Sequence, residues 1–463
     1  MHRFSRSGAV ALMLALGVTV DASSAATGNK VGAAPTAIAP LKIAPIAFTE
    51  RTLANGLQVI AVPSSASPTV SVQVWYHVGS KDDPAGRSGF AHLFEHLMFK
   101  TTANLKSEQF DRMTEDVGGS NNAFTSNDVT GYTDLVPSNH LEVLLWAEAE
   151  RMSNLNVVQD NFVSERAVVE EEYRQRILAS PYGRFSNAIP QAAYQVHPYK
   201  RSSIGSIEDL EAATLADVVK FHSTYYRPDN ATLVVAGDFE PKQLDAWVDK
   251  YFSRVVRPTT PLPRVTAGEP AWASDRVVTV TGPKVPLPAV ALVWLAPSVG
   301  SDDAPALQVA SALLSSGESA RLNQSLVYRQ QIAAQAGFEA DLRTGPGLLM
   351  ATAIAASGKS LDAVAKALQA ELVRLAKQPI APAELAKVKT QILTGALLQR
   401  QTPEGLASAI AEAAVLQGGA DHVNTDLVAL QKVSVADVQR VMQRYVMNTR
   451  RLELRYVQEG SAK

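Results

Sequence analysis

The chain has 463 residues, which is too long for one ordinary domain and suits two or more. Its formal charge of −2, without any cluster of basic side chains, gives no indication of nucleic-acid binding. The absence of cysteine excludes disulfide bonds and a thiol nucleophile, and 46% hydrophobic residues can fill large cores.

The N-terminus predicts export. Residues 1–6 carry two arginines, residues 8–20 form an apolar run, and small residues occupy 22–26. We interpret residues 1–26 as a signal peptide; the alternative is an uncleaved anchor, although the run is short for a membrane span. No later segment reaches spanning length, so we expect no membrane span after signal removal. An exported chain without cysteine is consistent with a bacterial periplasm.

The next residues predict an extended tail and then regular structure. Spaced prolines indicate the tail over residues 27–47. Alternating and apolar patterns predict strands at 57–63 and 70–78. Amphipathic helices are predicted at 141–152 and 361–377, each packed on one face of a sheet.

Residues 92–96 read His-x-x-Glu-His, the inverse order of a common zinc-peptidase signature. On a helix, positions four apart lie on one face, so His92 and His96 can bind the same metal ion. Glu95 stays close to that face, where it can orient a metal-bound water and take its proton. Catalytic zinc needs one more protein ligand and an open position, so another ligand is expected elsewhere in the chain.

The best source of that ligand is a helix predicted over residues 160–174, with Asp160 as its N-cap. It contains three adjacent glutamates at 170–172, and helical periodicity separates them. A buried carboxylate is costly unless it is paired or binds a metal, which favours Glu172 as a ligand, whereas Glu170 and Glu171 turn towards the polar side. The residues predicted to share one face are Glu165, Val168, Val169 and Glu172.

These features together resemble the pitrilysin/insulinase family of inverted-zincin metallopeptidases. The His-x-x-Glu-His run precedes a glutamate that lies 76 residues after His96, and residues 165–172 match the family's E-R-x-V-V-x-x-E stretch. The resemblance implies that Zn²⁺ is the cofactor and that Glu165 is an acid supporting the site. It also implies the following roles: His92, His96 and Glu172 as zinc ligands, and Glu95 as general base.

Residues 119–132 resemble a further family element, the N-A-x-T strand that borders the active-site cleft and pairs with the substrate backbone. The resemblance implies that Asn122 and Ala123 bind substrate. An edge strand can bind peptide through main-chain hydrogen bonds with little demand on sequence. The alternative is an ordinary turn followed by a strand.

The two halves of the chain look like copies. Residues 215–218 recur as 435–438, and Tyr225 recurs as Tyr445, in both cases 220 residues later. We therefore expect an α+β fold of two homologous α/β-sandwich domains that arose by internal duplication. The expected organisation is a zinc-binding catalytic domain at 48–255, a proline-rich linker at 256–275 and a homologous domain without metal at 276–463.

The second half lacks the residues that metal binding and the family's substrate binding would need. Residues 311–317, which correspond to the zinc helix, contain neither His nor Glu. In many relatives this domain supplies an Arg and, seven residues later, a Tyr that hold the substrate, but Tyr328 and Gln335 stand at those positions. Arg329 is adjacent, yet one step along a helix turns a side chain by about 100°.

The family's two-domain chains generally pair into a clamshell around a chamber, so the resemblance implies that this chain is half of a clamshell dimer. We expect a homologous partner chain that supplies the Arg and Tyr, giving a heterodimer; a homodimer is the alternative. The predicted function is a zinc metalloendopeptidase that hydrolyses unfolded peptides in this chamber. The alternatives are a non-catalytic scaffold or peptide-binding subunit, and a peptidase dedicated to one presequence or cofactor precursor.

Overall fold

The computed structural model describes residues 42–460. The predicted signal peptide at 1–26 and most of the tail at 27–47 lie outside the described residues. The described end of the tail, residues 42–47, contains no helix or strand. Within residues 42–460, no helix is both long enough and apolar enough to cross a bilayer.

The strands of the described chain form two sheets. The first sheet has the order β1-β2-β6-β3-β5-β4, and the second has the order β7-β11-β8-β10-β9. The strands are β1 (Thr49–Thr52), β2 (Gln58–Pro63), β3 (Thr69–Tyr76), β4 (Ser120–Thr125), β5 (Thr130–Pro137), β6 (Ala231–Gly237), β7 (Arg276–Gly282), β8 (Ala289–Ala296), β9 (Ala333–Asp341), β10 (Gly347–Ala355) and β11 (Leu452–Gln458).

Helices cover both sheets. The first half contributes α1 (Phe90–Leu97), α2 (Gln109–Glu115), α3 (Leu141–Asn154), α4 (Gln159–Tyr173), α5 (Gly183–Ala193), α6 (Ile207–Glu211), α7 (Leu215–Tyr225) and α8 (Pro241–Phe252). The second half contributes α9 (Ala304–Ser315), α10 (Leu361–Lys377), α11 (Pro382–Gln399), α12 (Pro403–Leu416), α13 (His422–Lys432) and α14 (Val435–Met442). Wider π-helical turns follow α4 at Arg174–Ala179, precede β9 at Asn323–Arg329 and follow α14 at Gln443–Met447.

The strand connections confirm the predicted duplication. In each half, the last strand along the chain pairs in parallel with a strand from the start of that half: β6 pairs with β2, and β11 pairs with β7. The other described strand pairs are antiparallel. The helix before each of these last strands, α7 or α14, begins with the same reciprocal capping box. Thr214 and Asp217 form one box, and Ser434 and Asp437 form the other. The α+β fold with two homologous sandwiches is therefore as predicted.

Each half also covers one face of the other half's sheet. Ile410 of α12, from the second half, packs with Ile60 and Trp75 on the first sheet. The helix at the equivalent place in the first half, α5, packs Ile189 against Leu454 of the second sheet. Burial of one such side chain contributes about 1.5–3 kcal/mol, so this exchange of helices binds the halves strongly. The expected domains at 48–255 and 276–463 thus contain one sheet each, but α5 and α12 each cover the sheet of the other domain.

The opposite face of the first sheet packs against α1, the helix that contains His92 and His96. Side chains alternate along β3, so Val72 and Val74 face one core while Gln73 and Trp75 face α12. The core on the Val72 side includes residues from α1, α3, α7 and α8. Strand β4 ends the sheet next to α1, with one edge free of any described strand.

Candidate metal centre

The start of α1 is fixed by a buried carboxylate and two glycines. Asp83 accepts the backbone N–H groups of Gly89 and Ala91 at 2.7 and 2.9 Å, which satisfies donors at the helix N-terminus. Gly89 has φ of +93°, and a Cβ on the facing Gly205 would lie 2.3 Å from the carbonyl oxygen of Ser88. Burial raises the pKa of Asp83 to about 7 despite these hydrogen bonds. The close backbone contact sets where the helix begins.

One turn later, α1 brings His92 and His96 to face Glu172 of α4. Ligand-capable atoms of these three residues all lie within 4.8 Å of one another. Nε2 of His92 is 3.7 Å from Oε2 of Glu172, and Nε2 of His96 is 3.8 Å from Oε1. These distances are too long for hydrogen bonds. They are close to the separation of about 3.3 Å between neighbouring ligands in tetrahedral zinc geometry with metal–ligand distances near 2 Å.

The chemistry of the three side chains also fits a metal ion. Burial lowers the pKa of His92 well below its usual value, and the neighbouring His96 and Arg176 lower it further. The imidazole of His92 is therefore neutral and available as a ligand. Oε2 of Glu172 is buried and accepts no hydrogen bond from the described residues. Two imidazoles and one glutamate are a ligand set found in catalytic zinc sites.

Glu165 supports this group from two turns earlier on α4. One of its oxygens lies 3.4 Å from Nδ1 of His96, and the other lies 2.8 Å from Nζ of Lys100. Burial alone would lower the pKa of His96, but the carboxylates of Glu165, Glu95 and Glu172 raise it overall. Burial would raise the pKa of Glu165, but His96 and Lys100 lower it. Glu165 therefore stays ionised and orients the His96 ring, leaving Nε2 to face Glu172.

Glu95 is buried beside these residues and is held by one hydroxyl. Thr125, at the end of β4, donates a hydrogen bond of 2.7 Å to Oε2 of Glu95. Burial raises the pKa of Glu95, whereas the Thr125 hydrogen bond acts in the opposite direction. A carboxylate with a raised pKa is suited to exchanging protons near neutral pH.

Sequence reasoning did not identify Lys100, Thr125 or Arg176 as parts of the site. Arg176 lies in the π-helical turn after α4, and its Nη1 is 3.3 Å from Oε2 of Glu172. Lys100 and Arg176 each follow a predicted site residue by four positions, and Thr125 is the last residue of the N-A-x-T match. The spacing was a usable signal, although spacing alone does not distinguish a site residue from a surface charge.

The structure corrects two details of α4. Val168 was expected on the face of Glu172, but it is 42% exposed, because the buried stripe runs through Phe162, Glu165 and Val169. Asp160 was expected as the N-cap, but the helix begins at Gln159 and has no side-chain cap. The carboxylates of Glu170 and Glu171 pair with Arg166 and Arg174 at 3.3–3.6 Å, whereas Glu172 is the glutamate of this run that lies with His92 and His96.

Strand β4 presents a free edge next to the candidate metal ligands. The hydrogen bond from Ser126 N–H to the Val129 carbonyl closes the β4–β5 hairpin, so the backbone of Ala123 points away from β5. The Ala123 N–H donates instead to the side-chain oxygen of Asn122 at 2.9 Å. The Asn122 side chain thus occupies the outward N–H of Ala123. A peptide that paired with this edge would have to displace that side chain.

The second half contributes no metal-binding group at the corresponding helix. Helix α9, which contains residues 311–315, carries no His or Glu, and Ser311 donates to the Phe338 carbonyl. Tyr328 is half exposed and donates to Glu318, while Arg329 donates to the carbonyl of Gln324 in its own turn. Gln335 lies exposed on edge strand β9.

Comparison with known proteins identifies the family. Residues 58–206 match the family model described as Insulinase (Peptidase family M16), and residues 212–392 match the Peptidase M16 inactive domain. A zinc protease PqqE of Helicobacter pylori is 34% identical over 407 residues, which cover 86% of this chain and 90% of that protein. The chain belongs to the M16 peptidase family. The resemblance to the insulinase family drawn from the sequence is therefore confirmed.

Two solved structures of other proteases share the fold. A protease from Helicobacter pylori has a TM-score of 0.86 and 32% identity, with 89% of this chain and 100% of that chain covered. The periplasmic protease PqqL from Escherichia coli has a TM-score of 0.72 and 20% identity. The match covers 89% of this chain but 47% of PqqL, so PqqL is about twice as long.

Proposed function

We propose that this M16 member is a zinc metalloendopeptidase in which His92, His96 and Glu172 hold the metal. The observation that carries the proposal is the convergence of these ligand atoms within 4.8 Å, with a buried general base on the same helix. Zinc bound there would lower the pKa of a coordinated water to about 7 and polarise the scissile carbonyl.

The protein's own groups account for the proton transfers and for the orientation of the site. Glu95, as the carboxylate, takes a proton from the attacking water and gives it to the leaving amine nitrogen. Thr125 fixes Oε2 of Glu95, so the other oxygen is free to exchange the proton. Glu165 and Lys100 keep the His96 ring in one orientation throughout.

The peptide substrate is proposed to lie along the free edge of β4. Asn122 and Ala123 would bind it there, with the Asn122 side chain moving away so that the Ala123 N–H can bond the substrate backbone. Thr125 is two residues further along the strand and contacts Glu95, so a peptide on this edge would run directly towards the general base. An extended bound conformation favours unfolded peptides over folded proteins.

We further propose that two chains form the working chamber and that it operates in the periplasm. PqqL contains about twice the length of this chain, which supports an assembly of two such units. Neither Tyr328 nor Gln335 supplies the Arg and Tyr of many relatives, which favours a homologous partner chain over a homodimer. The signal-like residues 1–26 and the periplasmic location stated for PqqL support export.

The proposal is tested by metal content and turnover in matched variants. We expect one zinc per chain in protein purified without chelator, and cleavage of a quenched fluorescent peptide library. Glu95→Gln should retain zinc and lower kcat/KM by at least about 100-fold, because it removes the general base. Glu171→Gln is the matched control, since Glu171 is exposed on α4 and lies outside the ligand set.

Other outcomes would assign the protein differently. Near-normal cleavage by Glu95→Gln would contradict the mechanism. Metal-free protein that binds peptides without cutting them would favour the scaffold or peptide-binding subunit. Cleavage at one site of one protein, against many sites in the library, would favour a dedicated processing peptidase. Native mass spectrometry of protein from its source separates a heterodimer from a homodimer.

A further inference from the structure

The two sheets differ at one edge. In the first sheet, β1 pairs with β2, and α8 lies over the same edge, where Arg51 of β1 binds Asp245 and Asp249 at 3.0 and 2.7 Å. In the second sheet, β7 corresponds to β2 and is the last strand. Among residues 42–460, no strand pairs with the outer side of β7, and no helix follows β11 as α8 follows β6.

The segment before β7 is held elsewhere and does not cover this edge. Glu269 accepts the backbone N–H groups of residues 195–197 at 2.7–3.0 Å. Trp272 is buried in the core between α5 and the second sheet. Glu269 thus binds the linker to the first half, and Trp272 packs against both α5 and the second sheet. The linker does not pair with β7 as β1 pairs with β2.

The backbone of β7 is directed outward at alternate residues. Arg276 donates its N–H to the Arg451 carbonyl, and the Gly282 carbonyl accepts from Glu459, so the even-numbered residues face β11. Backbone direction alternates along a strand, which leaves the N–H and C=O groups of Val277, Thr279 and Thr281 on the open side. Val277 is 64% exposed. An exposed edge of this kind is a template for an added strand.

A basic groove runs beside this edge. It has a volume of about 640 Å³ between α10 and β11, and five cationic but only two acidic side chains line it. Arg455 and Glu453 of β11, which form part of its wall, are in register with Thr279 and Val277 of β7. Lys366 and Lys377 of α10 form no ion pair with any residue in the range 42–460. The groove therefore carries an excess of positive charge.

We propose that β7 and this groove bind an extended acidic segment of a partner protein, which adds to the second sheet as a strand. The open backbone groups of β7 supply main-chain hydrogen bonds, as β2 does for β1. Alternate side chains of the added strand point across the short side chains of β7 towards Arg455 and Lys366. Carboxylates at those positions match the groove, whereas the chain's own residues 27–41 contain no acidic residue.

The experiment uses a labelled peptide of about ten residues that alternates glutamate with valine, so that its carboxylates share one face. Binding is measured by fluorescence anisotropy on the Glu95→Gln protein, which prevents cleavage of the probe if the proposed activity is correct. We expect it to bind at least about 10-fold tighter than a lysine–valine peptide, with an affinity that falls as salt rises.

The key variant is Thr279→Pro, which removes an outward N–H without removing a bond to β11. It should weaken binding at least about 10-fold, whereas Thr279→Val keeps the N–H and should bind like the parent. The pair Lys366→Glu and Lys377→Glu should weaken binding and flatten its salt dependence. If the melting curve shows that Thr279→Pro does not fold, Thr281→Pro removes another donor of the same row.

Three results would overturn the proposal. The first is equal binding of the acidic and basic peptides. The second is normal peptide binding by folded Thr279→Pro together with binding of inorganic pyrophosphate, which would make the groove a simple anion site. The third is self-association of the protein that Thr279→Pro abolishes, which would assign the edge to a second copy of this chain. None depends on whether the zinc site is active.

Discussion

The hydroxyl of Thr125 offers a sharp test of what controls the pKa of Glu95, the proposed general base. It donates a hydrogen bond of 2.7 Å to the buried Oε2 of Glu95, and this bond opposes the rise in pKa that burial causes. Replacing Thr125 by Val keeps the shape and removes the donor. A hydrogen bond to a charged group contributes about 1.5–3 kcal/mol, so the pKa of Glu95 should rise by about 1–2 units.

The direction of the change in kcat/KM with pH follows from the ionised form that Glu95 needs in order to act as a base. Glu95 must be ionised to accept a proton, and a higher pKa leaves less carboxylate at any given pH. The acid limb of kcat/KM against pH should therefore move to higher pH by about 1–2 units in Thr125→Val. Activity should fall more at pH 6 than at pH 8, while zinc content stays unchanged.

The assay is the pH profile of cleavage of one fluorogenic peptide, with metal content measured in each preparation. Thr125→Ser is the control, because it retains the hydroxyl and should restore the acid limb. An acid limb that does not move in the Val variant would refute the assignment of this hydrogen bond. An equal shift in Ser and Val variants would show that packing, and not the hydroxyl, controls Glu95.

Two further variants test the supports of the site. Glu165→Ala should weaken zinc affinity by about 10–100-fold in a competitive chelator titration, because the His96 ring loses its orienting partner, whereas Glu171→Ala should not change it. Asp128→Asn should lower the free energy of unfolding by about 2–3 kcal/mol at pH 7, because Asp128 accepts from Lys81 and Tyr199 at 2.6 Å. Burial alone would raise the pKa of Asp128, but these partners lower it, so the advantage of the parent should shrink as pH falls below about 4. An unchanged difference in denaturant unfolding between pH 7 and pH 3 would contradict this explanation.

The sequence predicted the features of the molecule that depend on local periodicity. Positions 92 and 96 share a helix face whatever the rest of the fold does, and the register of Glu172 on its helix distinguished it from Glu170 and Glu171. The bounds of α10, residues 361–377, agree with the prediction because no Gly or Pro interrupts its amphipathic pattern. The prediction for Val168 was wrong because helical periodicity does not distinguish a valine at the side of a buried stripe from a valine within it.

Periodicity could not predict that α5 packs on the second sheet and α12 on the first. Both helices are amphipathic or apolar, and a pattern shows that such a face is buried without showing which sheet buries it. The same limit applies to Arg176 and Lys100, whose partners are fixed by how α1 meets α4. Contacts between elements distant in sequence depend on the packed arrangement, which periodicity does not specify.

These long-range contacts join the half without candidate metal ligands to the hairpin whose Thr125 contacts Glu95. Asp128, at the tip of the β4–β5 hairpin, accepts the backbone N–H of Thr344 from the second half at 3.1 Å. Three residues before it, Thr125 holds Glu95. Because the hairpin is short and its backbone is hydrogen-bonded, a shift of the second half that moved Asp128 would also move Thr125. The contacts of Asp128 therefore join the second half to the hairpin that contains β4, the strand on which we propose that substrate binds.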